Sequence, residues 1–230
     1  MNPDNVNADD RHSRAQDAEL IVDPGERAKQ EARNGLRQFD EIIEIIEYLL
    51  QPDHPFKLRP SVLLRLNRTA LVGINSYAGN WRPGAVEIEG SKHRPPDAII
   101  VPELTEEMCD YVNDSWSRSS PVHLAAYSLW RTNWIHPFAD GNGRTARAIS
   151  YVLLCVRLGY RLPGTKTIPE LISENKKPYY AALEVADTAF GSGKIDVSEM
   201  ESLLGDYLAA QLLSVVRQAT SPGGVSELNA

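Results

Sequence analysis

Residues 136–147, with the sequence HPFADGNGRTAR, contain residue types and spacings that could bind phosphate groups. Gly141 and Gly143 allow backbone angles that turn successive N–H groups toward one point, which forms a nest for phosphate oxygens. A helix is predicted to begin in the same stretch, so its unpaired N–H groups and the positive end of its dipole face that point as well. The stretch therefore predicts an anion-binding site.

Four side chains in this stretch could supply the remaining chemistry. Arg144 and Arg147 are three residues apart and hence on one helix face, and each guanidinium offers a planar fork for phosphate. Asp140, just before the glycines, is placed to hold Mg²⁺ against those phosphates. His136 ends the preceding helix and can accept a proton near neutral pH. A base, a metal-binding carboxylate, a nest and two arginines together predict phosphoryl or nucleotidyl transfer.

The elements that must position these residues are predicted to be helices. From Glu26 to Leu50 apolar residues recur every three or four positions, which is the period of an amphipathic helix. The segment from Arg144 to Leu158 is apolar on nearly every side past its first turn, which is typical of a helix in the middle of a core. The predicted helices are 26–50, 61–73, 103–114, 119–134, 142–158, 169–173, 176–188 and 196–217.

Residues 75–96 break this helical pattern. Turn signals at 79–80, 83–84 and 90–91 surround a short alternating run at 85–88, which predicts a β-hairpin. The predicted fold class is therefore all-α, with one hairpin attached to a helical bundle. Residues 1–25 and 218–230 are polar or rich in Pro, Gly and Ser, and they are predicted to be a disordered N-terminal tail and a flexible C-terminal tail around a single domain at 26–217.

The composition argues against several classes of function. A formal net charge of −7 is no electrostatic match for nucleic acid, so no nucleic-acid partner is predicted. The sequence has no apolar run of about 18 residues, so no membrane association is predicted. The two cysteines, Cys109 and Cys155, do not make a disulfide framework, which favours a reducing, cytoplasmic location.

Residues 136–147 also resemble the signature of the Fic family, His-x-Phe-x-(Asp/Glu)-Gly-Asn-Gly-Arg-x-x-Arg, and match it at every fixed position. Weaker similarity covers a core of about 75–188. Within this core, residues 80–96 resemble the family's flap, the hairpin that aligns the target, and residues 177–183 resemble its second nucleotide-side helix. The resemblance implies a Fic-fold helical bundle with a small β-hairpin flap. It also implies a protein adenylyltransferase, which moves AMP from Mg²⁺-ATP to a Ser, Thr or Tyr hydroxyl of a target protein.

The resemblance implies a role for each position of the motif. His136 would deprotonate the target hydroxyl, Asp140 would coordinate Mg²⁺ or Mn²⁺, Arg144 would stabilise the leaving pyrophosphate and Arg147 would hold the γ-phosphate. The backbone amides of 141–143 and the Asn142 side chain would cradle the α- and β-phosphates, and Asp187, where relatives have an Asn, would accept from the adenine amino group. The implied nucleotide-binding residues are Asp140, Gly141, Asn142, Gly143, Arg144, Thr145, Ala146, Arg147, Tyr179, Tyr180 and Asp187. The implied flap residues are Val86, Glu87, Ile88, Glu89 and Gly90.

The chain departs from the family in its regulatory sequence. Many members carry a brake, a helix with (Ser/Thr)-x-x-x-Glu-(Gly/Asn) whose Glu pairs with the last motif arginine, and no Ser or Thr here begins that motif. The resemblance then implies an enzyme that is active as it stands, or a toxin-like enzyme held by a small antitoxin-like protein that presents a Glu to Arg147. Glu31, on the first predicted helix, is the in-chain candidate for the brake and the less favoured one.

Three alternatives to AMP transfer stay open. Some Fic relatives transfer phosphate, UMP or phosphocholine, and a Fic domain can also be a catalytically silent nucleotide-binding module. The phosphate-transferring type has Lys at the second motif glycine, so Gly143 favours AMP. The intact His136, Asp140, Arg144 and Arg147 argue against a silent module. A DNA-binding regulator has little support from an acidic chain.

Overall fold

A computed structural model describes residues 18–220, and within this range the chain is helical and forms no sheet. Each predicted helix is confirmed, with both ends within three residues of the predicted ones. A short 3₁₀ helix, Ala98–Ile100, leads into the third α-helix. The α-helices are α1 (Pro24–Leu49), α2 (Pro60–Leu71), α3 (Val101–Ser115), α4 (Pro121–Ile135), α5 (Asn142–Leu158), α6 (Ile168–Glu174), α7 (Lys176–Gly191) and α8 (Ser198–Thr220).

Helix α5 lies at the centre of the bundle, as its apolar sequence predicts. It packs against α4, α2 and α1, and Ile149, Val152 and Cys155 on it are fully buried. Left-handed glycines bound both ends, Gly141 with φ 76° and Gly159 with φ 87°. The N-terminus of this central helix is therefore fixed by the whole core.

Helix α1 carries a polar stripe that is held against α2. The buried side chain of Asn34 donates to the carbonyl oxygens of Val72 (2.8 Å) and Ala70 (3.2 Å), and Gln38 donates to that of Leu66 (2.9 Å). Arg27 and Glu31 lie at the same helical spacing, N-terminal to Asn34. The hydrogen bonds to α2 therefore also set the direction of Arg27 and Glu31.

Residues 18–25 correct the predicted boundary of the N-terminal tail. Their backbone pairs with the loop after α2, since Leu20 N–H donates to Ile74 O and Ser76 N–H donates to Ala18 O, both at 2.9 Å. Asp23 caps α1 by accepting from Glu26 N–H at 2.8 Å. The polar composition of this segment predicts a loose tail, because composition gives no indication of backbone hydrogen bonds to a distant loop. Residues 1–17 and 221–230 lie outside the described residues, and α8 runs beyond the predicted domain end at 217.

The predicted β-hairpin between α2 and α3 is not confirmed. In the described chain, residues 77–97 contain no strand beyond a single bridge residue, Ile88, and a turn closes at 88–91, where Ser91 N–H donates to Ile88 O at 3.1 Å. The buried guanidinium of Arg82 instead bonds to the carbonyl oxygens of Gly84 (2.8 Å) and Pro96. The two arms of the loop are therefore held by a side chain, and Pro95 and Pro96 offer no N–H for a ladder.

Cys109 and Cys155 are both buried and unpaired. No helix within residues 18–220 is long and apolar enough to cross a bilayer. The predicted cytoplasmic location stays a prediction.

Candidate active site

The motif residues line a cavity of about 920 Å³. The loop between α4 and α5 and the first turn of α5 form one wall, α1 and residues 18–24 form a second, and the start of α7 forms a third. His93 and Ile88, from the loop that follows α2, also line the cavity. The cavity thus brings together residues that are up to 169 positions apart, from Ala18 to Asp187.

His136 ends α4 in a left-handed conformation, with φ 52° and ψ 57°. Among the described residues it is the one non-glycine with positive φ, a backbone state that costs energy and is often found at functional sites. Its own N–H closes the helix on Thr132 O at 3.0 Å, and the Nε atom of Arg82 donates to its carbonyl oxygen at 2.9 Å. The strained backbone is therefore held from both sides.

The ring of His136 is set up to accept a proton. Nδ1 lies 3.2 Å from the carbonyl oxygen of Asn133, and because a carbonyl only accepts, Nδ1 carries the hydrogen. Nε2 then keeps its lone pair, and it is buried without a hydrogen-bond partner among the described residues. Burial is the main cause that lowers the pKa of His136 to about 3, against a smaller rise from the bond to Asn133. The imidazole is therefore neutral at ordinary pH, as a general base must be.

This low pKa predicts a pH dependence of stability. The native pKa of His136, about 3, lies below the ordinary histidine pKa of 6.5, so the unfolded state binds more protons as pH falls through that interval. The free energy of unfolding should therefore decrease as pH falls below about 6.5, and part of that decrease should be missing in His136→Ala. Urea unfolding of the wild type and of His136→Ala at about pH 7 and about pH 5 measures the two decreases in the free energy of unfolding. Equal decreases would show that His136 is not held neutral by burial.

The loop between the base and α5 is fastened by Asn142. Its side chain accepts from Phe138 N–H at 2.9 Å and donates to Phe138 O at 2.8 Å, and the Phe138 ring is fully buried. The carbonyl oxygen and the NH2 of the Asn142 side chain therefore both hold the loop, and the predicted contact of this side chain with phosphate stays a prediction. Gly141 is required here, since a Cβ would lie 3.0 Å from Leu71 Cδ1 and its φ is 76°.

Two buried residues that support the loop were missed by the sequence analysis. Asn67, on α2, donates to the carbonyl oxygen of Asp140 (3.0 Å) and to Thr145 Oγ1 (3.3 Å), and accepts from Gly79 N–H (3.0 Å). Arg82 holds the carbonyl of His136 as described above. A buried Asn on an otherwise apolar helix face is a weak signal, and nothing in the sequence pairs either residue with a loop more than 50 positions away.

Asp140, Gly143, Arg144 and Arg147 lie together at the N-terminal end of α5, as predicted. Asp140 Oδ1 accepts from the N–H of Gly141, and its Oδ2 lies 3.5 Å from Arg144 Nη2. A Cβ on Gly143 would lie 3.3 Å from Arg147 Nη1, so Arg147 passes close to the backbone of the nest. The positive end of α5 and two guanidinium groups thus face one end of the cavity.

Three charged residues outside the motif reach the same end. Arg27 on α1 contacts Asp140 Oδ2 (3.2 Å), Glu19 Oε1 (3.0 Å) and Glu31 Oε1 (3.4 Å). Glu31 Oε1 also lies 3.6 Å from Arg144 Nη1. Glu31, the in-chain candidate for the brake, therefore lies in the cavity. It pairs with Arg144 of the motif, whereas the family resemblance implies a brake that pairs with Arg147.

The other sequence-predicted residues divide into two groups. Tyr179, Tyr180 and Asp187 line the cavity, and Asp187 Oδ1 accepts from the indole N–H of Trp130 at 2.8 Å. Thr145 and Ala146 are fully buried and face the core, away from the cavity. Of the five predicted flap residues, Ile88 lines the cavity; those that do not are Val86, Glu87, Glu89 and Gly90.

The residues present fit a divalent cation that is bound mainly by its nucleotide. No group of three or more His, Cys, Asp or Glu residues that could hold a metal ion occurs within 18–220. Mg²⁺ is commonly bound by one or two carboxylates together with substrate phosphates and water. Asp140 Oδ2, which faces the arginines at the phosphate end, could supply that carboxylate.

Comparisons with known proteins agree with this site and fold. Residues 57–154 match the sequence model of the Fic/DOC family. Over 127 residues, or 54% of this chain and 24% of the relative, it is 33% identical to protein adenylyltransferase Fic from Drosophila willistoni. Similarity to protein adenylyltransferase fic-1 from Caenorhabditis briggsae is 32% over 129 residues, 54% of this chain and 23% of that one. The matched region spans about a quarter of the length of these relatives.

The fold is similar to that of a Fic family protein from Desulfovibrio desulfuricans G20. The TM-score is 0.63 with 22% sequence identity, over 86% of this chain and 56% of that one. The chain is a helical bundle whose central helix begins with a nest and two arginines, and a buried base ends the helix before it. The chain carries a Fic-family domain, with the complete motif at residues 136–147.

Proposed function

We propose that this site transfers AMP from Mg²⁺-ATP to a hydroxyl group on a target protein. The observation that carries the proposal is the neutral His136 ring, which lines the same cavity as the N-terminus of α5 and whose Nε2 has no hydrogen-bond partner in the part of the chain that the structure describes. A base without a phosphate-binding site would not support group transfer, and neither would a phosphate-binding site without a base. The names of the Drosophila and Caenorhabditis relatives support the same reaction class.

The proposed reaction follows from the position of each group. The phosphates of ATP bind at the backbone N–H groups of the nest, where the dipole of α5, Arg144 and Arg147 offset their charge. The target hydroxyl donates its proton to His136 Nε2, and its oxygen attacks the α-phosphorus. The bond from the α-phosphorus to the bridging oxygen breaks, and pyrophosphate leaves with the electron pair. The bond from Nδ1 to Asn133 O keeps the ring in place as it gains the proton.

Mg²⁺ would be held by Asp140 and the phosphates, and when bound it would neutralise charge that develops on the leaving group. The N-terminal end of α5, where the phosphates would bind, carries positive charge, and the unprotonated His136 ends the helix that precedes it. This arrangement favours attack at the phosphorus that lies nearest the base, and because Gly143 has no side chain it leaves room for Arg147 Nη1, which lies 3.3 Å from where a Cβ would be.

The identity of the transferred group can be tested with labelled ATP. We expect label from [α-³²P]ATP on protein, no label from [γ-³²P]ATP, and a requirement for Mg²⁺ or Mn²⁺. The reason is that AMP transfer keeps the α-phosphorus and releases the γ-phosphorus in pyrophosphate. Protein label from the γ position would instead support phosphotransfer and contradict this proposal.

A further inference from the structure

Arg27 makes three ionic contacts in the cavity. Its three guanidinium nitrogens each face a different carboxylate: Nη1 lies 3.0 Å from Glu19, Nε 3.4 Å from Glu31 and Nη2 3.2 Å from Asp140. A planar guanidinium can satisfy several acceptors at once, which a lysine cannot do. Of these three carboxylates, Asp140 alone belongs to the motif at residues 136–147.

Arg27 is also positioned by two independent elements. Asn34 and Gln38 fix the rotation of α1 by their bonds to the end of α2. Glu19 lies on the segment that pairs with Asn75, and this segment is anchored by two backbone hydrogen bonds. The side chain of Arg27 is 27% exposed, so it is partly shielded from the water that weakens surface ion pairs.

The contact with Asp140 uses the oxygen that a metal ion would need. Oδ1 of Asp140 already accepts from the N–H of Gly141, which leaves Oδ2 as the atom that faces the arginines. Arg27 Nη2 donates to this Oδ2 at 3.2 Å, closer than Arg144 at 3.5 Å. A divalent cation and the Arg27 guanidinium would therefore compete for one carboxylate oxygen.

We propose that Arg27 is an internal cation that occupies Asp140 in the nucleotide-free enzyme, so that the divalent ion must displace it. The inference rests on the proposed function, in which Asp140 holds the ion of Mg²⁺-ATP. Glu19 and Glu31 give the displaced guanidinium two remaining partners, which keeps it charged and paired after the exchange. Arg27 thus sets how much the divalent ion improves nucleotide binding.

The test compares nucleotide binding with and without the divalent ion. Calorimetry gives the Kd of the non-hydrolysable analogue AMPPNP in Mg²⁺ and in EDTA, and the ratio of the two Kd values is the Mg²⁺ enhancement. If loss of Arg27 also changes how Glu31 contacts Arg144, both Kd values change by the same factor. That indirect effect therefore cancels in the ratio. We expect Arg27→Gln to increase the Mg²⁺ enhancement by about tenfold, which corresponds to about 1.4 kcal/mol.

Matched variants make the result specific. Arg33→Gln removes the same charge from an exposed position on α1 and should leave the enhancement unchanged. Arg27→Lys keeps the charge but loses the planar fork, so it should give a smaller increase than Arg27→Gln. Thermal unfolding checks that each variant folds, and Arg27→Lys alone carries the test if Arg27→Gln does not.

An unchanged or smaller Mg²⁺ enhancement in Arg27→Gln would overturn the proposal. A smaller one would mean that Arg27 supports binding of the metal or the phosphates. AMPPNP binding needs no transfer step, so this result is separate from the proposed function. If the enzyme puts no AMP on protein but the enhancement rises as expected, the proposed function fails and the role of Arg27 stands.

Discussion

The variant His136→Ala is expected to lose AMP transfer by about 10²–10⁴-fold while it binds ATP about as well as the wild type. Within residues 18–220 the imidazole makes no hydrogen bond to the phosphate end, since its Nδ1 bonds to Asn133 and its Nε2 has no partner there. Removing it should therefore remove the proton acceptor and leave the nest and the arginines in place. Transfer is measured as label from [α-³²P]ATP on protein, and ATP binding by calorimetry.

A histidine outside the cavity provides the control. His54 bonds to the carbonyl of Tyr48 at 2.9 Å, away from the site, so His54→Ala should retain full transfer. Because His136 has a left-handed backbone, thermal unfolding should accompany the assay to show that the variant is folded. Near wild-type transfer in a folded His136→Ala protein would remove the proposed mechanism.

Substitution of Glu31 by Ala is expected to raise transfer at least tenfold, a change of about 1.4 kcal/mol in the activation free energy. The carboxylate of Glu31 lies 3.6 Å from Arg144, one of the two arginines that should bind phosphates, and a nucleotide must compete with it. The sequence alone favoured an unregulated enzyme or a separate inhibitory protein, because the Ser/Thr of the usual brake is absent. The contact of Glu31 with Arg144 now favours the in-chain brake.

Self-labelling of the purified protein measures this effect. Glu44→Ala is the matched control, since Glu44 lies on the same helix, is mostly exposed and pairs with Arg65. It should change neither labelling nor nucleotide affinity. If Glu31→Ala labels no faster than the wild type, Glu31 is no brake, and the antitoxin-like partner or the unregulated enzyme becomes the better hypothesis.

Much of the site could be predicted from sequence because it is local. His136, Asp140, both glycines and both arginines lie within twelve residues, and one loop and one helix turn bring them together. The helix α5 could be predicted with both ends correct because its apolar residues leave no polar face and glycines bound it on either side. Local spacing and helix period were enough for these features.

The contacts from distant segments could not be predicted in the same way. Arg27 and Asp140 are 113 positions apart, and Arg82 and His136 are 54 apart. Helical spacing shows that Arg27 and Glu31 share a face, but only the packing of α1 on α2 decides what that face meets. The predicted hairpin is not confirmed for a related reason. Turn residues do not indicate that the Arg82 side chain would bind the carbonyl groups of the loop.

Mass spectrometry of proteins after incubation with this protein shows directly whether the site transfers AMP. The purified chain is incubated with Mg²⁺-ATP and cell lysate, with His136→Ala in parallel, and modified peptides are identified by fragmentation. We expect peptides that carry one AMP on a Ser, Thr or Tyr hydroxyl with the wild type and none above background with His136→Ala. Peptides that gain phosphate or another group with the wild type alone, or equal AMP labelling by both proteins, would contradict the proposed AMP transfer.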